Sequence, residues 1–378
     1  MLSYWEQQSF TQYDHIVVGS GIVGLSTAIE LRERFPNARI LVLERGLLPT
    51  GASTRNAGFA CMGSVTELLD DLETSSETEV LELFEARKLG LERLKNRLSD
   101  VSIGYAANGS YELISEAEED ALDKLEYLND LLKPVAGQPA FKLANERISE
   151  FGFSSYYTKA LIQNTCEGEL NTGMMMRALV NMALQHGIEI KTGAEAMRFE
   201  EQDGYVTVEV KDPFRNEMWE LHGGTLSICT NAFTKQLLPH VDITPGRGQV
   251  LITEQIEGLK FKGIYHFDKG YYYFREIDGR ILIGGGRNMD FENEASTELT
   301  LSGHIQKALE EKLDEIIIPG TYYKVAMRWS GIMAFGGSKQ PIVKAFSDRV
   351  FGAFRMGGMG VALGSRVAQQ LADLIVAR

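Results

Sequence analysis

Cysteine is scarce in this sequence: Cys61, Cys166 and Cys229 are the only three in 378 residues. Their odd number and wide spacing exclude a disulfide framework and a CxxC pair, which suits a reducing compartment. Basic charge is also in deficit. Lys and Arg number 38 against 52 Asp and Glu, a net charge of −14. No basic face offers itself to a phosphate backbone, so a nucleic-acid partner is not expected. No apolar run approaches the ~20 residues that a membrane helix needs. The opening MLSYWEQQSF lacks the basic start and apolar stretch of a secretory signal. The six histidines show no HxxxH or other ligand spacing, so no metal is expected. These absences predict a soluble cytoplasmic protein, and its 44% hydrophobic content is enough for roughly two domains.

The acidic excess is uneven, with fifteen Asp/Glu against five Lys/Arg in residues 67–120. Within that stretch Val80, Phe84, Arg87, Leu91, Leu94 and Leu98 recur at helical spacing, so the acids form the solvated face of an amphipathic helix. A second helix is predicted through Ala121, Leu125, Leu128 and Leu132, stopped by Pro134, with SYELI (110–114) as a strand between the two. A third helix carries Met175, Leu179 and Met182 on one face, with His186 in its last turn and Gly187 as cap. Beyond it IEIKTG, EAMRFEE, YVTVEVK and LSICT (226–230) read as strands. After Pro245 and Gly246 come QVLITEQ, GIYHF, GYYYFRE, RILIGGG and TYYKVAMRW, a β-rich stretch. No repeat or low-complexity linker separates domains, so a second domain is expected to be woven through the first.

The most specific signal lies near the start. HIVV (15–18) is a short apolar strand, Gly19-Ser20-Gly21-Ile22-Val23-Gly24 matches GxGxxG, and Leu25, Ala28, Ile29 and Leu31 continue as a helix to Pro36. A second strand, RILVLE, ends at Glu44, twenty residues beyond Gly24. Gly19 permits the tight turn, Gly21 lets backbone approach a pyrophosphate, and Gly24 lets helix and strand pack closely. The helix N-terminus presents N–H groups to the phosphates. Glu44 suits ribose hydroxyls and disfavours a 2′-phosphate, leaving NAD or FAD.

Two further segments favour FAD. Arg45-Gly46 leads within seven residues of Glu44 to Gly51-Ala52-Ser53-Thr54-Arg55-Asn56-Ala57-Gly58, a small-residue loop suited to running beside an extended cofactor. Near the other end, Phe354-Arg355-Met356-Gly357-Gly358-Met359-Gly360 precedes a helix, a glycine-rich start suited to the negative edge of a reduced flavin.

Taken in order, DHIVVGSGIVGLSTAIEL, VLERG, TGASTRNAG, TGAEAMRFE, ICTNAF, PGRGQV, DGRILIGGG, MRWSGIMAF and FRMGGMGVALG resemble the glycine oxidase / D-amino-acid oxidase superfamily, with its sarcosine oxidase and gamma-glutamylputrescine oxidase relatives. The resemblance implies an α/β plus α+β fold: a Rossmann-like FAD-binding domain interleaved with a mainly antiparallel substrate domain. The FAD domain is expected over 1–78, 151–243 and 330–378, and the substrate domain over 79–150 and 244–329. It further implies oxidation of a small-molecule amine or amino acid, with electrons passing to oxygen or another acceptor. By position, Gly19 to Gly24 would line the pyrophosphate, Glu44 would take the ribose with Arg45 also among the cofactor-binding residues, and Ala52, Ser53, Arg55, Asn56, Ala57 and Gly58 would pass along the cofactor. Ala196 stands where relatives often have Val against the adenine. Thr230 and Asn231 would close the FAD domain, and Gly357, Gly358, Met359 and Gly360 would face the flavin.

The sequence also departs from that pattern. Asn56 stands near the His that links flavin in some relatives, and the last cysteine is Cys229, so FAD is expected to be non-covalent. Met333 stands where glycine-oxidase-like relatives carry an Arg for the substrate carboxylate, whereas Arg355 matches a second family Arg. Lys339-Gln340-Pro341 replaces a common acidic residue before the proline. The catalytic or substrate-binding candidates are Arg355, Tyr271, Tyr273, Arg275 and Arg55, with Arg328, His266 and Cys61 as weaker ones. Strand alternation puts Tyr271, Tyr273 and Arg275 on one face and Tyr272 on the other. Amine oxidation leads, against a flavin-dependent 2-hydroxy-acid or polyol dehydrogenase with His266 as base, or a non-catalytic flavin subunit or sensor.

Overall fold

The computed structural model of the chain describes residues 2–212, 214 and 217–378. Its first strand, Gln12–Val18, lies parallel between Ile40–Leu43 and Met218–Ile228; Glu189–Lys191 extends the sheet on one side and Val350–Phe354 on the other. Parallel strands covered on both faces need apolar side chains throughout, and Ile40, Leu41, Val42 and Leu43 are all buried. Antiparallel strands complete eight: Ile342–Ala345 at the edge, and the pair Val206–Lys211 and Glu195–Glu201 folded back on Met218–Ile228. The predicted strand at 226–230 is thus the end of a longer one.

Helices Ile22–Arg34, Glu77–Leu98 and Gly360–Val376 share the core cluster on one side of this sheet. They approach closely: a Cβ on Gly90 would lie 2.1 Å from the Ala362 carbonyl oxygen. All six residues that predicted the helix Glu77–Leu98 are buried, and Ser76 with Glu79 closes a capping box at its start. Between the helices Glu30 is fully buried, its carboxylate accepting from Arg93 at 2.6 and 2.8 Å, from Arg34 at 2.5 Å and from Arg97.

The second predicted helix differs from expectation. A 3₁₀ segment, Glu116–Lys124, precedes the α-helix Leu125–Ala136, which continues through Pro134 to a left-handed Gly137. Proline's φ is compatible with a helix, so Pro134 removes one hydrogen bond and the helix ends two residues later. There Lys88 Nζ also donates to the Val135 carbonyl at 2.7 Å. The third helix runs Thr172–Gln185 with Met175 and Leu179 buried, and Gly187 adopts φ 68° as expected.

A second eight-stranded sheet has the order Val325–Phe335, Thr244–Thr253, Arg280–Gly285, Tyr272–Ile277, Ile264–Phe267, Ser110–Ile114, Ala160–Asn164 and Phe141–Leu143. Every pair is antiparallel except Ile264–Phe267 with Ser110–Ile114. One face holds an aromatic core in which Tyr265 stacks on Phe274 at 4.6 Å and Tyr272 stacks on Phe267 at 5.2 Å. The expected interleaving of a Rossmann-like and a mainly antiparallel sheet is present. Two strands cross the sequence-drawn boundaries: Ala160–Asn164, inside 151–243, pairs in the second sheet, and Val325–Phe335 straddles 329/330. Strand pairing is a long-range choice that local composition does not register. Among the described residues no helix is long and apolar enough to cross a membrane.

Candidate functional site

The turn after Gln12–Val18 is built around close backbone approach. Gly19 has φ 103°, and its N–H donates to the Leu43 carbonyl at 2.8 Å. A Cβ on Gly24 would lie 1.8 Å from the Gly19 oxygen. Helix Ile22–Arg34 begins at Gly21, which has no side chain to cap it. The Ile22 N–H reaches Ser53 Oγ at 3.0 Å, joining this turn to the small-residue loop. At the tip of Ile40–Leu43, Glu44 accepts from Ser20 Oγ at 2.6 Å, from the Ser20 N–H at 3.2 Å and from the Gly46 N–H at 2.8 Å. Its carboxylate is therefore fixed beside the glycine turn. Arg45 instead lies over the Phe233 ring at 3.7 Å. Ala196 packs at the margin of the apolar cluster on the outer side of the sheet. Thr230 and Asn231 follow Met218–Ile228; Asn231 adopts φ 47° and its Oδ1 accepts the Arg355 N–H at 3.1 Å.

The loop after Glu44 contains a helical turn, Ala52–Arg55, rather than being extended throughout. Asn56 then locks the chain: Nδ2 donates to the Ala52 and Ser53 carbonyls, and Oδ1 accepts from the Gly58 N–H at 2.8 Å. Three arginines expected at the substrate are consumed by the protein. Arg55 donates to the Thr50 and Ser330 carbonyls, both at 2.9 Å. Arg275, pushed down by burial, donates to the Ala57, Gly58 and Leu170 carbonyls and pairs with Glu169 at 3.3 Å. Arg355 pairs with Asp242 at 2.5 Å and donates to the Gln340 carbonyl and Ser338 Oγ. Arg328 likewise pairs with Glu310 at 2.8 Å. Arg55, Arg275 and Arg355 thus hold backbone in place, a positioning role, while Arg328 holds the side chains of Gln306 and Glu310.

Cross-strand partners project to the same side of a sheet. The pairs Met333–Gly246, Gly331–Gly248, Trp329–Val250, Val250–Gly284, Gly284–Tyr273, Tyr273–His266 and His266–Glu112 therefore place these residues on one face of the second sheet. It is the face opposite the aromatic core. Phe59 packs on it, its ring 5.5 Å from Tyr273 and 5.2 Å from His266. The turn before Gly360–Val376 comes to its other end, where a Cβ on Gly358 would lie 3.6 Å from Met333 Sδ. Cys61 Sγ meets Met359 Sδ at 3.3 Å, and burial raises that thiol well above its ordinary range. The fold thus brings together the flavin-loop segment, the 357–360 turn, Tyr273 and Met333. Tyr271 falls in the turn before its strand and packs on Phe291 at 6.0 Å.

A buried acidic group was missed by sequence reasoning. Glu112 accepts from the Val65 N–H at 2.7 Å and from Thr66, while Glu167 accepts from the Met62 and Gly63 N–H groups and from Ser110 Oγ. With His266 they line a cavity of about 10 Å³, room for roughly one water. His266 Nε2 has no partner there, and burial lowers its pKa. The available signal was the acid at the centre of SYELI; only the pairing of Ser110–Ile114 with Ile264–Phe267 puts it on the same face as His266. Burial pushes Glu112 up to about 7 from 4.5, although its hydrogen bonds oppose the rise. Between those values the folded protein keeps a proton that the unfolded chain has lost, so stability falls as pH rises through about 7. Glu112→Gln is expected to be the more stable form at pH 8, by up to about 3 kcal/mol, and equal to the parent below pH 4.5. Denaturant midpoints at both pH values check this; a pH-independent difference would refute it.

A family model described as FAD dependent oxidoreductase (DAO) matches residues 14–374. The probable oxidoreductase OrdL of Haemophilus influenzae is 20% identical, over 97% of this chain and 84% of its own. Glycine oxidase from Geobacillus kaustophilus superposes with a TM-score of 0.78 at 18% identity, covering 97% of this chain and 95% of that one. L-proline dehydrogenase from P. horikoshii gives 0.77 at 18% identity, covering 97% and 94%. At such identities the structural likeness speaks to the fold, a nucleotide-type parallel sheet joined to an antiparallel one. The family match, which spans nearly the whole chain, speaks to more than fold: this protein belongs to the DAO family of FAD-dependent oxidoreductases, and FAD is its cofactor.

Proposed function

We propose that the protein oxidises a small amine or amino acid at the carbon bearing nitrogen, giving an imine that water hydrolyses to an oxo product and free amine. The helix start at Gly21, the Gly24–Gly19 contact and the fixed Glu44 fit a dinucleotide. Gly19 to Gly24 would hold its pyrophosphate, Glu44 its ribose, and Ala196 the adenine side. Ala52 to Gly58, Thr230 and Asn231 would line its length, and Gly357 to Gly360 the flavin edge. Non-covalent attachment is supported by Asn56, whose side chain is committed to backbone, and by the raised pKa of the buried Cys61 thiol. When bound, FAD supplies a two-electron acceptor for the hydride leaving the substrate carbon.

The observation that carries this reading is the face formed by Gly248, Gly284, Gly331, Trp329, Met333 and Tyr273. Its glycines are covered by Met333, Val250, Tyr273 and the Arg55 stem, and the six residues themselves are uncharged. Such a surface favours the neutral amine over the ammonium form. A deprotonated amine carries its own lone pair, so the protein has to orient the C–H bond and exclude water rather than supply a strong base. An alcohol substrate would need a base at its hydroxyl. His266, the base assigned to the hydroxy-acid reading, packs against Phe59 with its free nitrogen bordering the Glu112–Glu167 cavity, which weighs against that reading.

The test is an anaerobic visible titration of the holoenzyme with pooled amino acids, N-methyl amino acids and polyamines. Bleaching of the flavin band by one pool is the expected result. A band unchanged by every amine pool but bleached by 2-hydroxy acids would overturn the proposal.

A further inference from the structure

One arginine at this face is not consumed. Arg287 follows Gly285 and Gly286, whose φ values of 126° and 75° turn the chain back at the end of Arg280–Gly285. A Cβ on Gly285 would lie 2.0 Å from the Tyr271 carbonyl oxygen, so this turn requires glycine. The turn carries the Arg287 guanidinium to Phe335, where its carbon lies 4.1 Å from the ring centroid, and to Phe291, at 4.8 Å. A Cβ on Gly246 would come within 2.9 Å of Arg287 Nε. Gly246 pairs with Met333, and Phe335 is two residues beyond Met333 on the same strand, so the guanidinium lies over the substrate face. Tyr271 completes the row by packing on Phe291.

Arg287 has no hydrogen-bond or ion-pair partner among the described residues, and its Nε is buried. Burial lowers its pKa, opposed by Tyr271 and Glu294. A partly desolvated guanidinium with free donors is costly unless an acceptor arrives. Stacking against two rings fixes its plane and leaves its N–H edge free for bidentate contact with a carboxylate. Met333, paired with Gly246, brings no charge to this end of the face; Arg287 does.

We propose that Arg287 is the receptor for the substrate's carboxylate, its guanidinium held between Phe291 and Phe335. The substrate class is then an amino acid or N-substituted amino acid rather than a polyamine, which this cation would repel. This deepens the amine-oxidising reading and rests on it, but its test does not depend on turnover.

The holoenzyme is titrated with acetate, benzoate and hexanoate, and with benzamide as a neutral match for benzoate, following perturbation of the flavin band. At least one carboxylate is expected to saturate and benzamide not to. Arg287→Met is expected to weaken the carboxylate about 10- to 100-fold at unchanged FAD content, and Arg287→Lys to fall between. If no carboxylate saturates the parent enzyme, or if Arg287→Met and Arg287→Lys bind it as the parent does, the proposal is overturned. Loss of stability in both variants with unchanged carboxylate affinity would leave Arg287 as a stacking residue and overturn it equally. Polyamine bleaching without carboxylate binding would refute this inference and leave amine oxidation standing. Carboxylate binding without bleaching by any amine would do the reverse.

Discussion

Gly24→Val protein is expected to be purified without its yellow colour. At Gly24 even a Cβ would lie 1.8 Å from the Gly19 carbonyl oxygen, and that neighbour is backbone rather than a side chain that could swing away. Either the turn moves outward or the helix Ile22–Arg34 tilts. Both shift the first-turn N–H groups from the place where a pyrophosphate would meet them. Losing two hydrogen bonds to a charged group costs about 3–6 kcal/mol, or roughly 10²–10⁴-fold in affinity. The measurement is bound flavin per protein after gel filtration, with far-ultraviolet circular dichroism to show that the sheet is intact. Gly21→Ala is the milder comparison. Its Cβ would meet Ser53 Oγ at 2.9 Å, a side-chain atom that can yield. Retention of stoichiometric FAD by Gly24→Val would remove the pyrophosphate assignment.

The largest stability effect is expected at Glu30, far from any substrate. Burial alone would raise its pKa, yet Arg93, Arg34 and Arg97 hold it to about 2. Replacing a whole buried ion cluster by well-packed apolar groups can be neutral, but deleting one member leaves the others uncompensated. Glu30→Ala leaves three guanidiniums around an empty carboxylate position, and Arg97, with a side chain 7% exposed, can reach little water. The expected loss is about 3–5 kcal/mol. Glu30→Gln keeps the volume and removes the charge, so it isolates the electrostatic part. The native carboxylate contributes stability that is fully present above about 4.5 and is lost as pH falls through about 2. The gap between parent and Glu30→Gln should therefore narrow as pH drops across that window. Denaturant unfolding at pH 7, 4 and 3 measures it. A loss below about 0.5 kcal/mol at pH 7, the range of an ordinary surface change, would show that the cluster is dispensable.

Both predictions concern residues whose legibility in the sequence differs. Gly24 stood out because its role is local: strand, turn and helix follow one another within about twenty residues. Glu30 falls inside the same helix and looks like one more acid in −EL-, since its three partners lie on its own helix and on Glu77–Leu98. The helix Glu77–Leu98 was legible because burial recurs every turn. Its neighbour Leu125–Ala136 was misjudged at Pro134, where a rule about helix interiors met a final turn. The membership of Ala160–Asn164 was not legible, because a five-residue apolar strand suits either sheet.

The arginines show the same division most clearly. Arg55, Arg275 and Arg355 look like substrate cations in a linear reading, each beside a motif that touches cofactor or substrate. The fold gives their donors to carbonyls and carboxylates more than a hundred residues away, such as Ser330 for Arg55, Leu170 for Arg275 and Asp242 for Arg355. Arg287, which no motif marked, has no hydrogen-bond or ion-pair partner among the described residues and lies at the face. By itself the sequence determined the nucleotide turn, the cofactor class, the family and the helical faces, because each is written in short-range spacing. Only the tertiary structure decided which charges are spent and which are available. A guanidinium is satisfied by whatever acceptors the folded chain brings within about 3 Å, and nothing in its neighbours along the chain records them.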